Sequence, residues 1–255
     1  MNKSSTLTHR QEVRRMFSRI ASRYDLLNRL MTLGQDRRWR RQALRGLNLS
    51  AREKLLDIGT GTGDLAFEAC DRIAGLWIVA CDFTPAMIQH AQRRQKSRRI
   101  HWVVADAQAL PFADGSFDAA VSGFLLRNVS DLDRTLSEQA RILAREGRAA
   151  SLDTTPPEAN FLKPFLQLYL NRIIPILGRW FARDEAAYRY LPETTQAFLP
   201  AAVLAKQFRT NGFDAVDYSR RMFGTIAIHQ ARKASRENIL DVHQSGLRGS
   251  IQTDD

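Results

Sequence analysis

Residues 57–64 read Asp-Ile-Gly-Thr-Gly-Thr-Gly-Asp. Glycines at alternate positions let a backbone turn sharply and pass close to a ligand. A short apolar run, Lys54 to Ile58, leads into the turn, and a helical pattern, Leu65 to Ile73, leaves it. The start of such a helix offers unpaired N–H groups to whatever lies on the turn. The spacing is not the dinucleotide pattern, because Gly59, Gly61 and Gly63 are evenly spaced, and no phosphate-loop motif occurs. Asp82 ends the next apolar run, twenty-three residues after Gly59. A carboxylate there can accept both hydroxyls of a ribose. It can equally cap the helix that opens at Pro85. Asp106-Ala107 ends the third run, where an aspartate can meet a purine edge beside an apolar wall or serve as an ordinary loop residue. In sum, the residues suit a nucleoside held at the ends of successive strands.

The elements that must position them follow from hydrophobic period. Gln11 to Met31 carries Val13, Phe17, Ile20, Tyr24, Leu27 and Leu30 at helical spacing, and Gly34 interrupts it. Asp36 to Leu47 reads as a second helix. Strands are expected at Lys54–Ile58, Leu76–Cys81, Ile100–Ala105, Phe117–Ser122 and Arg148–Leu152, with helices at Leu65–Ile73, Pro85–Gln95 and Leu132–Leu143. Alternating strands and helices imply an α/β fold with a doubly wound, Rossmann-like parallel sheet whose strand ends carry the site. Residues 158–198 break the rhythm as a helical insertion, and Ala201 to Asn211 restores a helix. Phe213–Tyr218 and Met222–His229 form an expected antiparallel hairpin turning at Ser219–Arg221. This gives a single domain over 1–232, with an N-terminal helical cap at 10–47. The polar, aperiodic tail 233–255 is expected to be disordered.

Composition narrows the class. The chain has 255 residues, 44% of them hydrophobic and 25% charged, which suits a globular protein with a full core. No apolar run is long enough for a membrane-spanning helix, and the opening residues carry no signal-peptide core. Cys70 and Cys81 are the only cysteines, which excludes a disulfide framework and a structural zinc site and points to a reducing cytoplasm. No metal cluster is visible. Residues 1–50 hold twelve Lys/Arg against three acids, so +9 of the net +11 lies there. That face suits an anionic partner or a solvated helix surface.

These spacings resemble the class I S-adenosylmethionine-dependent methyltransferases. Longer segments narrow the resemblance to the ubiquinone/menaquinone-biosynthesis C-methyltransferases. They are Met16 to Asn28 (MFSRIASRYDLLN), Gly123 to Val129 (GFLLRNV), Asp184 to Leu191 (DEAAYRYL) and the C-terminal hairpin ending at His229. The resemblance spans about residues 12–232. It implies S-adenosylmethionine as cofactor, with Gly59, Gly61, Thr62 and Gly123 against its methionine and ribose parts. Asp57 falls near the ammonium, Asp82 at the ribose, and Asp106 with Ala107 at the adenine. Three departures stand out: Leu125 and Asp153 replace a usual glycine and glutamate, and Arg145-Glu146-Gly147 replaces a Lys-Pro-Gly-Gly turn.

The implied reaction is methylation of a ring carbon in an isoprenoid quinol, demethylmenaquinol above all. A ubiquinol precursor or another lipophilic acceptor is the alternative. Arg127 is expected to stabilise the phenolate and Asn128 to orient a hydroxyl. The structural alternative pairs Arg127 with an acid such as Asp131. Tyr24, Asp25, Tyr188 and Tyr190 are candidates for the acceptor pocket, whereas His101 and His229 read as structural or surface residues. A lipid-soluble substrate implies peripheral contact with an anionic membrane at its inner face, through the basic helices. The apolar stretch 161–182 suits a tail groove, core packing or a homodimer interface. An RNA-binding methyltransferase is disfavoured, because no aromatic series interleaves with the arginines.

Overall fold

The strands of the computed structural model are β1 (Lys54–Ile58), β2 (Trp77–Asp82), β3 (Ile100–Val104), β4 (Phe117–Gly123), β5 (Leu143–Thr154), β6 (Phe213–Arg221) and β7 (Ile226–Lys233). They form one sheet in the order β3-β2-β1-β4-β5-β7-β6. The first five are parallel, and β7 runs antiparallel to both β5 and β6. The structure describes residues 13–21, 24–95, 99–156, 194 and 197–234. The expected insertion, with Tyr188 and Tyr190, and the tail from 235 lie outside those residues.

Around the sheet stand α1 (residues 13–20), α2 (Tyr24–Met31), α3 (Asp36–Gly46), α4 (Asp64–Arg72), α5 (Pro85–Arg94), α6 (Leu132–Ile142) and α7 (Ala201–Thr210). Local chemistry sets several of their starts. Pro85 occupies the first turn of α5, where its missing N–H costs nothing. Asp131 caps α6 by accepting from the Arg134 N–H at 2.9 Å. Along β1, successive side chains enter opposite faces of the sheet. Leu55 joins Trp39, Leu44 and Leu65 under α3 and α4, while Leu56 and Ile58 join Leu136, Ile142 and Phe208 under α6 and α7. Each such fully buried side chain contributes about 1.5–3 kcal/mol of apolar burial.

Three expectations need correction. The run from Gln11 to Met31 is not one helix: Ala21 is a turn and a new helix opens at Tyr24. The C-terminal hairpin turns later than expected. β6 continues through Arg221, and Met222, Phe223 and Gly224 make the turn at φ of 48°, 54° and 87°. Two non-glycine residues in the left-handed region hide this turn from a glycine-based reading. Finally, β5 begins at Leu143, directly after α6, and bulges before Arg148.

Strand order reverses between β1 and β4, each of which pairs with a different neighbour beyond. Ligands of doubly wound sheets bind at such a switch point, outside the carboxyl ends of the strands. The glycine turn leaves β1 there.

Candidate active site

The turn is built by its own glycines. Gly59, Gly61 and Gly63 have φ of 66°, 56° and 91°, a region closed to most side chains. Thr60 N–H donates to the Cys81 carbonyl at 2.9 Å, which fastens the turn to the end of β2. Asp82 fastens it again, accepting from Gly61 N–H at 2.8 Å and from Thr84 N–H at 2.7 Å. A carboxylate has about four lone-pair sites, so about two remain for a ligand. Burial pushes this carboxyl above its usual range, against the pull of the N–H groups it accepts from.

A cleft of about 780 Å³, its open mouth included, lies over the turn. Gly59, Gly61, Asp82, Asp106, Ala107 and Gly123 all line it. Asp106 also accepts from the Gln108 N–H at 3.0 Å, shaping its loop. Phe124, Leu125 and Asn128 form the wall beyond β4, and Val13, Phe17 and Tyr24 cover the cleft from the N-terminal helices.

Asp57 and Thr62 lie under the turn rather than in the cleft wall. Asp57 is fully buried. Its Oδ2 accepts from the Thr60 hydroxyl at 2.6 Å and the Ala66 N–H at 3.1 Å, while Oδ1 has no partner. Burial pushes its pKa to about 7, against those donors. Thr62 donates its hydroxyl to Asp25.

Asp25, expected beside an acceptor, is instead a latch. It receives Thr62 and pairs with Arg94 at 2.7 Å. Arg94 also donates to the Thr62 carbonyl at 2.9 Å and to Asp64 at 2.8 Å. Arg40 reaches Asp64 at 3.2 Å and pairs with Asp36. Burial alone would raise the Asp64 carboxyl, but Arg40, Arg94 and Arg29 together hold it below its usual range. The cap is thereby tied to the glycine turn by polar bonds. Sequence reading missed Arg94, because an arginine in the last turn of α5 looks like ordinary surface.

Arg127 does not line the cleft. Its side chain is buried, with Nη1 2.7 Å from Asp153, itself buried at the end of β5. Asp153 also accepts from the Thr154 N–H at 2.8 Å. The expected alternative partner, Asp131, is spent on the α6 cap. Arg127 Nε is buried without a partner, and its guanidinium lies 5.1 Å from the Phe124 ring centre. Asn128 donates to the Phe124 carbonyl at 2.8 Å and keeps a buried, unpartnered Oδ1. Tyr24 holds its proton, because burial raises its pKa beyond the opposing influence of Arg127, Asn28 and Arg40. His229 is structural: Nε2 lies 2.8 Å from the Ala201 carbonyl oxygen, and burial lowers its pKa. His101 is exposed on β3. Among the described residues no cluster of His, Cys, Asp or Glu fits a metal.

Leu125 presses on Gly59. A Cβ built on Gly59 would sit 2.7 Å from Leu125 Cδ1. Gly59→Ala is therefore expected to lose about 1–2 kcal/mol to left-handed backbone strain, plus a steric part. Urea unfolding of Gly59→Ala, Leu125→Ala and the double variant will read it. The double variant should lose less than the sum of the singles, since the shorter side chain makes room.

The comparisons with known proteins agree with this geometry. A model of the ubiE/COQ5 methyltransferase family matches residues 5–233. The ubiquinone/menaquinone biosynthesis C-methyltransferase UbiE of Desulfotalea psychrophila is 46% identical, over 85% of this chain and 88% of its own. The demethylmenaquinone methyltransferase of Thermus thermophilus is 42% identical, over 84% of this chain and 98% of its own. Among solved structures, a chain from the complex between the Haloferax volcanii Trm112 activator and a methyltransferase aligns at a TM-score of 0.60. It covers 86% of this chain and 98% of its own at 18% identity, a likeness of fold. With the family match running from the cap to the last strand, and relatives above 40% identity over most of their length, this chain belongs to the ubiE/COQ5 methyltransferase family.

Proposed function

We propose that the protein methylates the ring carbon of a demethylmenaquinol to give the menaquinol, with S-adenosylmethionine as donor. The carrying observation is the cleft at the switch point, where a glycine turn and strand-end carboxylates meet the Phe124–Asn128 wall. The names of the relatives support the acceptor. When bound, S-adenosylmethionine supplies an electrophilic methyl group on sulfur. The residues fit it: Gly59 and Gly61 leave room for close approach, the unpartnered Asp57 Oδ1, buried beneath the turn, suits an ammonium reached through water, and Asp82 suits ribose hydroxyls. Asp106 with Ala107 would take the adenine.

The acceptor must be the reduced quinol, since an oxidised ring is itself electrophilic. Loss of a hydroxyl proton makes the adjacent ring carbon nucleophilic, and loss of the ring hydrogen as a proton restores aromaticity after transfer. Arg127 supplies positive potential for the phenolate, with its Nε–H unspent. Asn128 Oδ1 accepts from an acceptor hydroxyl, and Tyr24 donates rather than abstracts. A water relay carries the proton out. The enzyme works as a peripheral protein at the inner face of an anionic membrane, where its lipid-soluble acceptor resides. No helix of the described residues is long and apolar enough to cross a membrane.

Labelled methyl transfer to demethylmenaquinol in liposomes tests the reading, with a ubiquinol precursor and RNA as parallel acceptors. Product on the naphthoquinol alone supports it, and transfer only to another acceptor overturns it. The latch gives a second check. Asp25→Ala removes two part-exposed polar bonds, a loss of about 1–2 kcal/mol. Stopped-flow release of S-adenosylhomocysteine should quicken by about 5–30-fold if the cap must lift for exit.

A further inference from the structure

A second concavity lies between the cap and the outer faces of α4 and α5, away from the methyl-transfer cleft. Arg29, Arg37, Arg40, Arg41 and Arg94 line it, with Asp64, Glu68 and Asp71. Three of these arginines are committed. Arg40 and Arg94 hold Asp64, and Arg41 lies 3.1 Å from Glu68. Among the described residues, neither Arg29 nor Arg37 has a carboxylate within ion-pair distance. Arg29 Nε is buried with no hydrogen-bond partner. Arg37 is exposed at the mouth.

A buried guanidinium nitrogen without an acceptor is costly, and the missing group must be an acceptor. Guanidinium forks match tetrahedral oxyanions, which can bridge two of them at once. Five arginines against three carboxylates leave the concave wall net positive, which focuses the field on such an anion. Asp64 and Glu68 already pair with the other arginines and, among the described residues, Asp71 lies beyond ion-pair distance of any, so Arg29 and Arg37 are left for a ligand from outside. We propose that this concavity is a binding site for a phosphate group, with Arg29 and Arg37 as its primary ligands. The group comes from a phospholipid headgroup or from free phosphate. The site stands apart from the identity of the methyl acceptor. It shares Asp64 and Arg94 with the latch, so its occupant lies one ion pair from the cap that covers the cleft.

The test uses the full chain and two probes: inorganic phosphate by titration calorimetry, and vesicles of phosphatidylglycerol against phosphatidylcholine by flotation. The variants are Arg37→Glu, Arg29→Gln and, as a control, Arg45→Glu, an exposed charge on the same helix outside the concavity. Arg37 is solvent-facing, so its replacement leaves folding intact. At least tenfold weaker binding of one probe by both Arg37→Glu and Arg29→Gln, with at most threefold for Arg45→Glu, supports the site. Loss confined to vesicles assigns the headgroup, and loss with inorganic phosphate assigns the free ion. Equal losses from Arg37→Glu and Arg45→Glu, or binding of neither probe, overturn it, because diffuse surface charge then accounts for any attraction.

Discussion

Replacing Arg127 with alanine should both unsettle the fold and slow methyl transfer. The two effects have separate physical origins. Arg127 and Asp153 are exposed by only 5% and 1%, and removing the cation leaves a carboxylate stranded beneath the cleft. Breaking a buried pair from one side costs about 3–5 kcal/mol. Arg127 lies behind the cleft wall, so it can act on anionic charge only through its potential, and its loss should slow transfer by less than the about 10²–10³-fold seen for a donor in direct contact. Urea unfolding reads the first effect and single-turnover transfer the second. The separation comes from Arg127→Met combined with Asp153→Leu. Replacing both partners by apolar groups should restore most of the stability, since a buried ion pair adds little over good packing. Turnover should stay slowed. If the double variant regains transfer, Arg127 is a structural residue and the potential at the acceptor comes from elsewhere.

That pair marks the limit of what the chain discloses when read as a line. The strand–turn–helix around Gly59 is legible because all its determinants lie within about ten residues. The placement of Asp82 and Asp106 at one cleft is legible because strand ends in this topology converge. Arg127 was visible as a residue but not by its partner, which lies twenty-six positions away on an adjacent strand. A signal did exist: Asp153 ends the run Ala149-Ala150-Ser151-Leu152, where an acid in a buried strand demands a cation. Arg94 carried no such signal. Its role depends on α2 folding over the turn, a tertiary fact that the helical period of residues 13–31 does not encode. The hairpin turn at Met222–Gly224 was misplaced for a related reason, since backbone strain there is borne by residues that usually avoid it.

Polar bonds also join the cap to the glycine turn. Asp25 grips Thr62, whose neighbour Gly61 is held by Asp82, so a shift of α2 is felt at the carboxylate proposed for the ribose. Tyr24 extends the cover into the cleft beside Asn128. On the proposed function, donor retention therefore depends in part on Asp25, which takes no part in the methyl transfer itself.

Asp57 should make the ligand-free enzyme less stable as the pH rises. Its pKa in the fold is about 7, against 3.8 for an unperturbed aspartate. Below pH 3.8 both folded and unfolded chains hold the proton and the group contributes nothing. Between 3.8 and 7 the unfolded chain releases the proton while the fold keeps it, so stability falls by about 1.4 kcal/mol per pH unit. Above 7 the full penalty, about 4 kcal/mol, is in place. Asp57→Asn has no such titration, but its amide N–H₂ would face the unpartnered Oδ1 position, at a constant cost of about 1–3 kcal/mol. The two stability curves should therefore cross. The variant should be the weaker protein at pH 4 and the stronger at pH 8, with the difference moving by about 4 kcal/mol between them. A bound ammonium reverses the logic, because a positive charge near Oδ1 favours the ionised carboxyl. Binding of S-adenosylmethionine at pH 6 should then release a proton in the natural enzyme and none from this site in Asp57→Asn. Calorimetry in two buffers of different ionisation enthalpy measures that proton. Equal release from both proteins would place the ammonium elsewhere, and parallel stability curves would mean that Asp57 is already ionised in the empty fold.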